Sequence, residues 1–162
     1  MFGQKAYLCR KVLWTMAIRI RQVTHISAAE IEAFARLLPQ LSPRLGALSG
    51  ERAAAIAGAP RTVLLVAETG DGRIVGMLTL VWYDLPSGRK AWVEDVVVDA
   101  AARRCGAGEA LVREAVSRAA REGVGRLMLT SAPHRTAARA LYRKMGFAET
   151  ETGVFVLKTD TE

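Results

Sequence analysis

The chain has 162 residues, of which 51% are hydrophobic and 24% are charged, a composition typical of one globular domain that excludes a disordered or fibrous chain. A formal net charge of +7 favours anionic partners, such as nucleic acid, anionic lipid or a phosphate-rich cofactor, without choosing among them. The longest strongly apolar runs, 63–67 and 77–83, are far shorter than the roughly 20 residues that span a bilayer, so we predict no membrane partner.

The first residues predict an extension rather than a secretion signal. Basic residues there precede a short uncharged run that lacks the apolar core and cleavage site of a signal peptide. Strand-like residues begin directly after Met16. We therefore assign 1–15 to an extension and 16–162 to one folded domain.

Two cysteines, Cys9 and Cys105, are too few and too far apart for a metal cage, and a single long-range disulfide is not expected. We predict no metal site and a reducing, cytoplasmic location.

The first predicted elements are a strand and two helices. Alternation over 18–23 predicts the strand. Ser27 and Glu30 have the spacing of a helix capping box, and the helix that they begin is expected to end at Pro39. A second helix is predicted over 50–57.

Three β-rich runs follow. The runs at 61–68 and 73–83 flank Thr-Gly-Asp-Gly at 69–72, and Asp-Gly in that place predicts an antiparallel hairpin. A turn at 84–88 then leads into a further strand over 91–98.

The second half of the chain alternates helices and strands. Helical spacing covers 108–121, a short strand follows at 126–130, another helix at 135–145, and 147–158 completes the pattern as a last strand. This order of elements predicts a mixed α/β layer fold in a single domain.

The strand at 91–98 runs into a glycine loop that opens a helix. A helix N-terminus presents unpaired backbone N–H groups and the positive end of a dipole, which can hold a pyrophosphate. Gly106 and Gly108 would let a phosphate approach the backbone closely. A plain tight turn is the alternative, and Leu111 stands where the dinucleotide fingerprint requires glycine.

Two ordered motifs carry a resemblance to a known family. The loop resembles the Arg/Gln-x-x-Gly-x-Gly/Ala signature of the acetyl-CoA site in the general N-acetyltransferase (GNAT) superfamily, in the form Arg103-x-x-Gly106-x-Gly108. A downstream segment is similar to the second motif of that superfamily, in the form Arg135-x-x-Ala138-x-x-Leu141-Tyr142-x-x-x-Gly146-Phe147. The resemblance extends over 18–158. Many members carry Asn where Arg135 stands.

The resemblance implies a fold and a donor. The fold is a mixed, mostly antiparallel central sheet with splayed strands four and five, flanked by helices, and the donor is acetyl-CoA. The backbone expected to pair with the pantetheine arm belongs to Val96, Val97 and Val98. The residues expected around the rest of the cofactor are Arg103, Arg104, Cys105, Gly106, Ala107, Gly108, Glu109 and Arg135.

Acetyl transfer to an alkylamine of pKa about 10 requires a base, because the amine is mostly protonated at neutral pH. Glu94 is the leading candidate and Asp95 the alternative. Regular alternation would place Glu94 and Val96 on one strand face, and Val93, Asp95 and Val97 on the other. A surface carboxylate paired with a neighbouring arginine is the other interpretation of Glu94.

The remaining candidates surround the reaction. The phenol of Tyr142 is expected beside the leaving thiolate, with a core tyrosine as the alternative. Histone-type members of the superfamily carry a glutamate where Trp92 stands, which disfavours a histone-type substrate. Trp82, Tyr83, Trp92 and Asp95 are candidates for the acceptor pocket, and His134 is a candidate for a contact with cofactor or substrate. Cys105 lies within the phosphate loop, which argues against a nucleophile.

We therefore predict an acetyl-CoA-dependent N-acetyltransferase that acts on a primary amine of a small or amino-acid-like molecule. Protein lysine, a protein N-terminus and aminoacyl-RNA are alternative acceptors. A non-catalytic acetyl-CoA-binding regulatory module is the alternative of another class. The chain has no nucleic-acid-binding motif that would explain its charge. A homodimer is possible, since superfamily members commonly form dimers.

Overall fold

The computed structural model of the chain describes residues 17–159, so the extension predicted at 1–15 lies outside the described residues. The strands are β1 (Arg19–Gln22), β2 (Thr62–Glu68), β3 (Ile74–Leu85), β4 (Gly88–Val98) and β5 (Arg126–Met128). The helices are α1 (Ala28–Leu41), α2 (Gly50–Ala57), α3 (Ala107–Arg121) and α4 (Thr136–Lys144), with one 3₁₀ turn at Ala100–Ala102. No helix in the described part is both long and apolar enough to cross a membrane.

One sheet organises the described residues, with the strands in the order β1-β2-β3-β4-β5. Neighbours are antiparallel from β1 to β4, and β4 pairs with β5 in parallel. Helix α1 covers one face, where Phe34 and Leu37 pack against Leu64 and Val66. Helix α3 covers the other face. The predicted mixed, mostly antiparallel α/β sheet with flanking helices is confirmed.

The burial of β2 explains why its sequence is almost continuously apolar. Leu64 and Val66 contact the α1 side, whereas Val63, Leu65 and Ala67 pack in the cluster that contains α3. A strand with both faces covered shows no polar alternation. This strand is central to the core.

Helix α1 begins with the predicted capping box. The Ser27 backbone N–H donates to Glu30 at 2.9 Å, and the buried Glu30 carboxylate also accepts from Arg21 at 2.6 Å. Burial alone would raise the pKa of Glu30, but hydrogen bonds from Ser27 and Arg21 outweigh it and lower the pKa to about 2. The cap therefore depends on an ionised carboxylate.

Replacing Glu30 with Gln should cost about 2 kcal/mol of unfolding free energy at pH 7, because the cap and the Arg21 ion pair are both weakened. The folded pKa lies below the ordinary value of 4.5, so the stabilisation is present above pH 4.5 and is lost as pH falls towards 2. Urea unfolding of both proteins should show a difference that shrinks over that interval. A constant difference would contradict the ionic explanation.

Helix α1 continues past Pro39, where the sequence predicted its end, and stops at Leu41. Proline removes a hydrogen bond and disfavours a helical conformation at the residue before it, but this one lies in the last turn. The backbone N–H of Ser42 still bonds to the carbonyl of Leu38 at 3.0 Å. The final turn therefore forms in spite of the proline.

The last predicted strand, 147–158, is wrong. Phe147 packs against the core and its N–H bonds to the carbonyl of Tyr142 at 3.0 Å, but no strand follows in the described residues. The segment ends in consecutive exposed apolar side chains, Val154, Phe155, Val156 and Leu157. Their β propensity suggested a strand, but a strand also needs a partner ladder, which no described residues supply.

Candidate active site

The site begins where β4 and β5 part. Parallel pairing joins only Lys90 to Arg126, Ala91 to Leu127 and Trp92 to Met128. Strand β4 then continues to Val98 without a partner on its β5 side among the described residues. Backbone donors and acceptors along that edge are therefore free to bind an extended polar molecule. The pairing of strands four and five thus stops after three residues, which is compatible with the predicted splay.

A β-bulge lies in the same part of β4. Met77 pairs with Val97 and Thr79 with Glu94, so two steps along β3 correspond to three along β4. Asp95 lies inside the bulge with φ of 50°, in the left-handed region. Bulges of this kind bend a strand and redirect its side chains.

The bulge changes the predicted faces of β4. Val93 and Val96 both pack in the cluster that contains α3, whereas Val97 packs in the cluster under α1. Glu94 is opposite Thr79, and Asp95 and Thr79 both line a pocket on the α1 side. The prediction that Glu94 shares a face with Val96, with Asp95 and Val93 on the other, is therefore wrong. Both carboxylates lie on the α1 side.

The two carboxylates are electrostatically unusual. Neither the carboxylate of Glu94 nor that of Asp95 makes a hydrogen bond or an ion pair with any residue in 17–159, so no arginine there is the partner of Glu94 that the alternative interpretation predicted. Both residues are exposed to solvent, but neighbouring atoms exclude part of the water around each carboxylate. This desolvation, and then the charge of Asp95, raise the pKa of Glu94, and desolvation likewise raises the pKa of Asp95. A carboxylate with a raised pKa is a stronger base than one in water.

A pocket of about 330 Å³ opens beside the bulge, between the sheet and the linker that joins α1 to α2. Its size is in the lower range for small-molecule sites. Most of its lining is apolar, and the polar side chains are few. The lining residues are Leu38, Leu45, Gly46, Ala47, Leu48, Arg52, Ile56, Leu64, Met77, Thr79 and Asp95.

The glycine loop leads from β4 into α3 as predicted. Gly106 is the N-cap of α3 with φ of 85°, and no side chain caps the helix. A Cβ on Gly106 would meet nothing within 4 Å, so open space lies in front of the helix N-terminus. Uncapped N–H groups beside open space are suited to an anionic group.

The loop side chains support the same interpretation. Arg103 and Arg104 are exposed, and neither forms a hydrogen bond or ion pair within the described chain. The Cys105 thiol is partly buried and donates to the carbonyl of Ala102 at 2.7 Å. The carboxylate of Glu109 binds Lys144 and Arg113, each at 2.6 Å.

Tyr142 is buried on α4 in the cluster that contains α3 and Val93. Its ring meets that of Phe147 edge-on, with centroids 6.1 Å apart. Burial raises the pKa of Tyr142, partly offset by the charge of Arg135, so the phenol remains protonated at neutral pH. Its hydroxyl makes no hydrogen bond to another described residue. The structure thus leaves this donor available.

Arg135 begins the turn into α4 and reaches across to α1. Its Nη2 donates to the carbonyl of Leu41 at 2.7 Å. A guanidinium in this position joins the end of one helix to the start of another. Its predicted role in holding the cofactor stays a prediction.

The aromatic candidates divide between the two sheet faces. Trp92 donates from Nε1 to the hydroxyl of Tyr83 at 3.0 Å, and the register of Trp92 places it on the face of Glu94. Trp82 instead packs in the cluster that contains α3. His134 is exposed in the segment before α4. Of the four, Tyr83 and Trp92 lie on the face that carries the pocket.

The comparisons with known proteins agree with this geometry. The model of the acetyltransferase (GNAT) family matches residues 26–147, which include the bulge, the glycine loop and α4. The chain belongs to the GNAT family. The predicted superfamily resemblance is therefore confirmed, as is the assignment to an enzyme of the acetyltransferase class.

One named relative matches the chain over part of its length. Glucosamine 6-phosphate N-acetyltransferase 1 of Oryza sativa subsp. japonica is 37% identical over 95 residues, which are 57% of this chain and 56% of that protein. The chain therefore matches little more than half the length of this relative.

Solved structures match over a larger part of the chain. A transcriptional regulator from Bacillus halodurans C-125 is 27% identical, with a TM-score of 0.74, and covers 88% of this chain and 100% of its own. An acetyltransferase of Trypanosoma brucei is 26% identical, with a TM-score of 0.70 and the same two coverages.

Sequence reasoning missed the pocket and the bulge. The pocket lining comes from α1, α2, their linker and three strands, and only Asp95 among these residues was a candidate. The available signal was the pair of apolar residues Leu45 and Leu48 within a Ser, Pro and Gly-containing linker. Arg52 gave no signal in the sequence.

Proposed function

We propose that the protein transfers the acetyl group of acetyl-CoA directly to a primary amine, and that both substrates meet at the bulge of β4. The observation that carries the proposal is one continuous arrangement. The splayed edge of β4, the uncapped N-terminus of α3 and two unpaired carboxylates follow one another along 93–109. Donor and acceptor would approach this strand from different sides.

The chain offers suitable groups for the donor. The unpartnered edge formed by Val96, Val97 and Val98 would pair with the amides of pantetheine. The N–H groups at the start of α3 would hold the pyrophosphate, and the open space in front of Gly106 admits it. Arg103 and Arg104 supply positive charge that no other described residue neutralises. The residues present therefore fit acetyl-CoA.

Glu94 acts as the general base in this proposal. An ammonium must lose a proton before its nitrogen can attack the thioester carbonyl, and a carboxylate with a raised pKa accepts that proton more readily. Backbone N–H groups of β4 would donate to the developing oxyanion. Asp95, in contact with the pocket, would hold the amine beside Glu94.

The Tyr142 hydroxyl would donate a hydrogen bond to the departing sulfur. We expect Tyr142→Phe to reduce kcat by about 10²-fold with little change in acetyl-CoA affinity, because the ring packing against Phe147 is kept while the donor is lost. Single-turnover kinetics with calorimetry measure both quantities. Unchanged turnover would exclude Tyr142 from the mechanism.

The acceptor is proposed to be a small molecule rather than a protein. A pocket of about 330 Å³ between the sheet and the α1–α2 linker suits a compact amine, and the rice relative is named for acetylation of an amino sugar phosphate. A protein amine or an aminoacyl-RNA amine is the second candidate, and the net charge of +7 favours the polyanionic RNA.

The test is amine-dependent release of free thiol from acetyl-CoA. A panel should contain apolar amines, amino acids, amino sugars, a lysine peptide and an aminoacyl-RNA, with mass spectrometry of the product. We expect release only in the presence of a small primary amine. Binding of acetyl-CoA without release from any amine would instead support a regulatory module.

A further inference from the structure

We propose that the acceptor is a primary amine with an apolar body and an anionic group, carboxylate or phosphate, at its other end. The inference rests on the proposed function and specifies its substrate class. It comes from the pocket beside the bulge, which contains one acidic side chain, Asp95, and one basic side chain, Arg52, in an otherwise mostly apolar lining.

The acidic side chain of the pocket suits the amine. The carboxylate of Asp95 is exposed and has no hydrogen-bonding or ionic partner in the described chain, and neighbouring atoms exclude part of its water and raise its pKa. An ammonium placed beside it would compensate for the water that the carboxylate has lost. The same placement brings the nitrogen next to Glu94, which is adjacent in β4.

The basic side chain of the pocket suits an anion. Arg52 is exposed on α2, and its guanidinium has no ionic partner among residues 17–159, although most arginines near the sheet are paired, such as Arg21 with Glu30 and Arg36 with Asp99. A guanidinium binds carboxylate and phosphate with two parallel hydrogen bonds. An anionic acceptor group would supply the missing partner.

The remaining lining of the pocket determines the body of the acceptor. Leu38, Leu48, Ile56, Leu64 and Met77 contribute apolar surface, and Thr79 has the one hydroxyl side chain of the lining. The hydroxyls of a sugar ring placed against these apolar side chains would lose hydrogen bonds to water, at a cost of about 1–3 kcal/mol for each unsatisfied group. An aromatic or aliphatic body loses none and gains burial.

A matched pair of amines tests the anionic end. 4-(Aminomethyl)benzoate carries a carboxylate on the ring carbon opposite the aminomethyl group, where 4-methylbenzylamine carries a methyl group. Thiol release should give the benzoate a kcat/KM about tenfold higher, as expected for one charge-assisted contact at a partly exposed site. In Arg52→Gln this ratio should fall to about one.

Arg44→Gln is the matched control, since Arg44 is an exposed arginine of the same linker region that does not line the pocket. It should retain the wild-type ratio. Asp95→Asn tests the other end, because asparagine tolerates the left-handed backbone that this position adopts. It should raise the KM of both amines about tenfold while changing kcat less.

The outcomes separate this inference from the proposed function. Equal rates for the two amines in the wild-type protein, or an unchanged ratio in Arg52→Gln, would contradict the proposal that the acceptor carries an anionic group bound by Arg52. Either result would leave the proposed acetyl transfer intact. Faster turnover of glucosamine 6-phosphate than of both benzyl compounds would contradict the proposal that the body of the acceptor is apolar. Absence of thiol release with every amine of the panel would instead overturn the proposed transfer to small amines.

Discussion

Replacing Glu94 with Gln should lower kcat/KM for acetyl transfer by about 10²–10⁴-fold and leave the affinity for acetyl-CoA unchanged. Glutamine keeps the shape of the side chain but cannot accept a proton at neutral pH. Initial rates of thiol release and calorimetric titration measure the two quantities. Glu32→Gln, at an exposed position of α1, is the control and should behave as wild type.

The pH dependence of the acetyl-transfer rate is a second test of Glu94 as the general base. The pKa of Glu94 is raised above 4.5 by desolvation and then by the charge of Asp95, and the base acts only when deprotonated. The rate should therefore rise with pH through a pKa above 4.5. Asp95→Asn removes the second cause and should move that rise to lower pH.

Wild-type activity in Glu94→Gln would assign proton transfer to another group. If the acidic limb of the pH profile then disappeared in Asp95→Asn, Asp95 would be the base and Glu94 would not take part. A limb that remains in both variants would exclude both carboxylates.

A second large effect is expected at Gly106. Its replacement with Val should abolish measurable acetyl-CoA binding. Gly106 has φ of 85°, where a β-branched residue is strained by about 1–3 kcal/mol. Its Cβ would also enter the open space in front of the α3 N-terminus, where the proposal places the pyrophosphate. Calorimetric titration measures the loss.

Gly123→Val controls for the strain alone. Gly123 follows the other end of α3, has φ of 68°, and likewise has no atom within 4 Å of an added Cβ. Both variants should lose similar unfolding free energy, but only Gly106→Val should lose the donor. Equal donor affinity in the two variants would contradict a pyrophosphate site at Gly106.

Local sequence signals predicted most of the fold. The Ser27 and Glu30 capping box, the Asp-Gly hairpin at 69–72 and the glycine loop before α3 each fix geometry within a few neighbouring residues. Such features depend on nearby backbone hydrogen bonds, so the order of residues is enough to reveal them. The last strand failed because it needed a distant partner.

The site was only partly predictable from the sequence, because part of it depends on contacts between residues that are distant in the chain. Glu94, Asp95 and Tyr142 were identified by their chemistry and by the motifs around them. The orientation of Asp95 depends on a one-residue offset between β3 and β4, and alternation assumes a regular ladder. Arg52 lines the pocket because α1, α2 and their linker pack beside the bulge. That packing is a tertiary property.

The most direct test of acetyl-CoA use is thermal unfolding with and without acetyl-CoA, with NAD and ATP as controls. A donor at about 100 times its dissociation constant stabilises the native state by about 2.7 kcal/mol, which for a chain of this size raises Tm by roughly 5–10 °C. We predict that rise with acetyl-CoA and none with NAD or ATP. An unchanged Tm with saturating acetyl-CoA, or an equal rise with all three nucleotides, would contradict a dedicated acetyl-CoA site along β4 and α3.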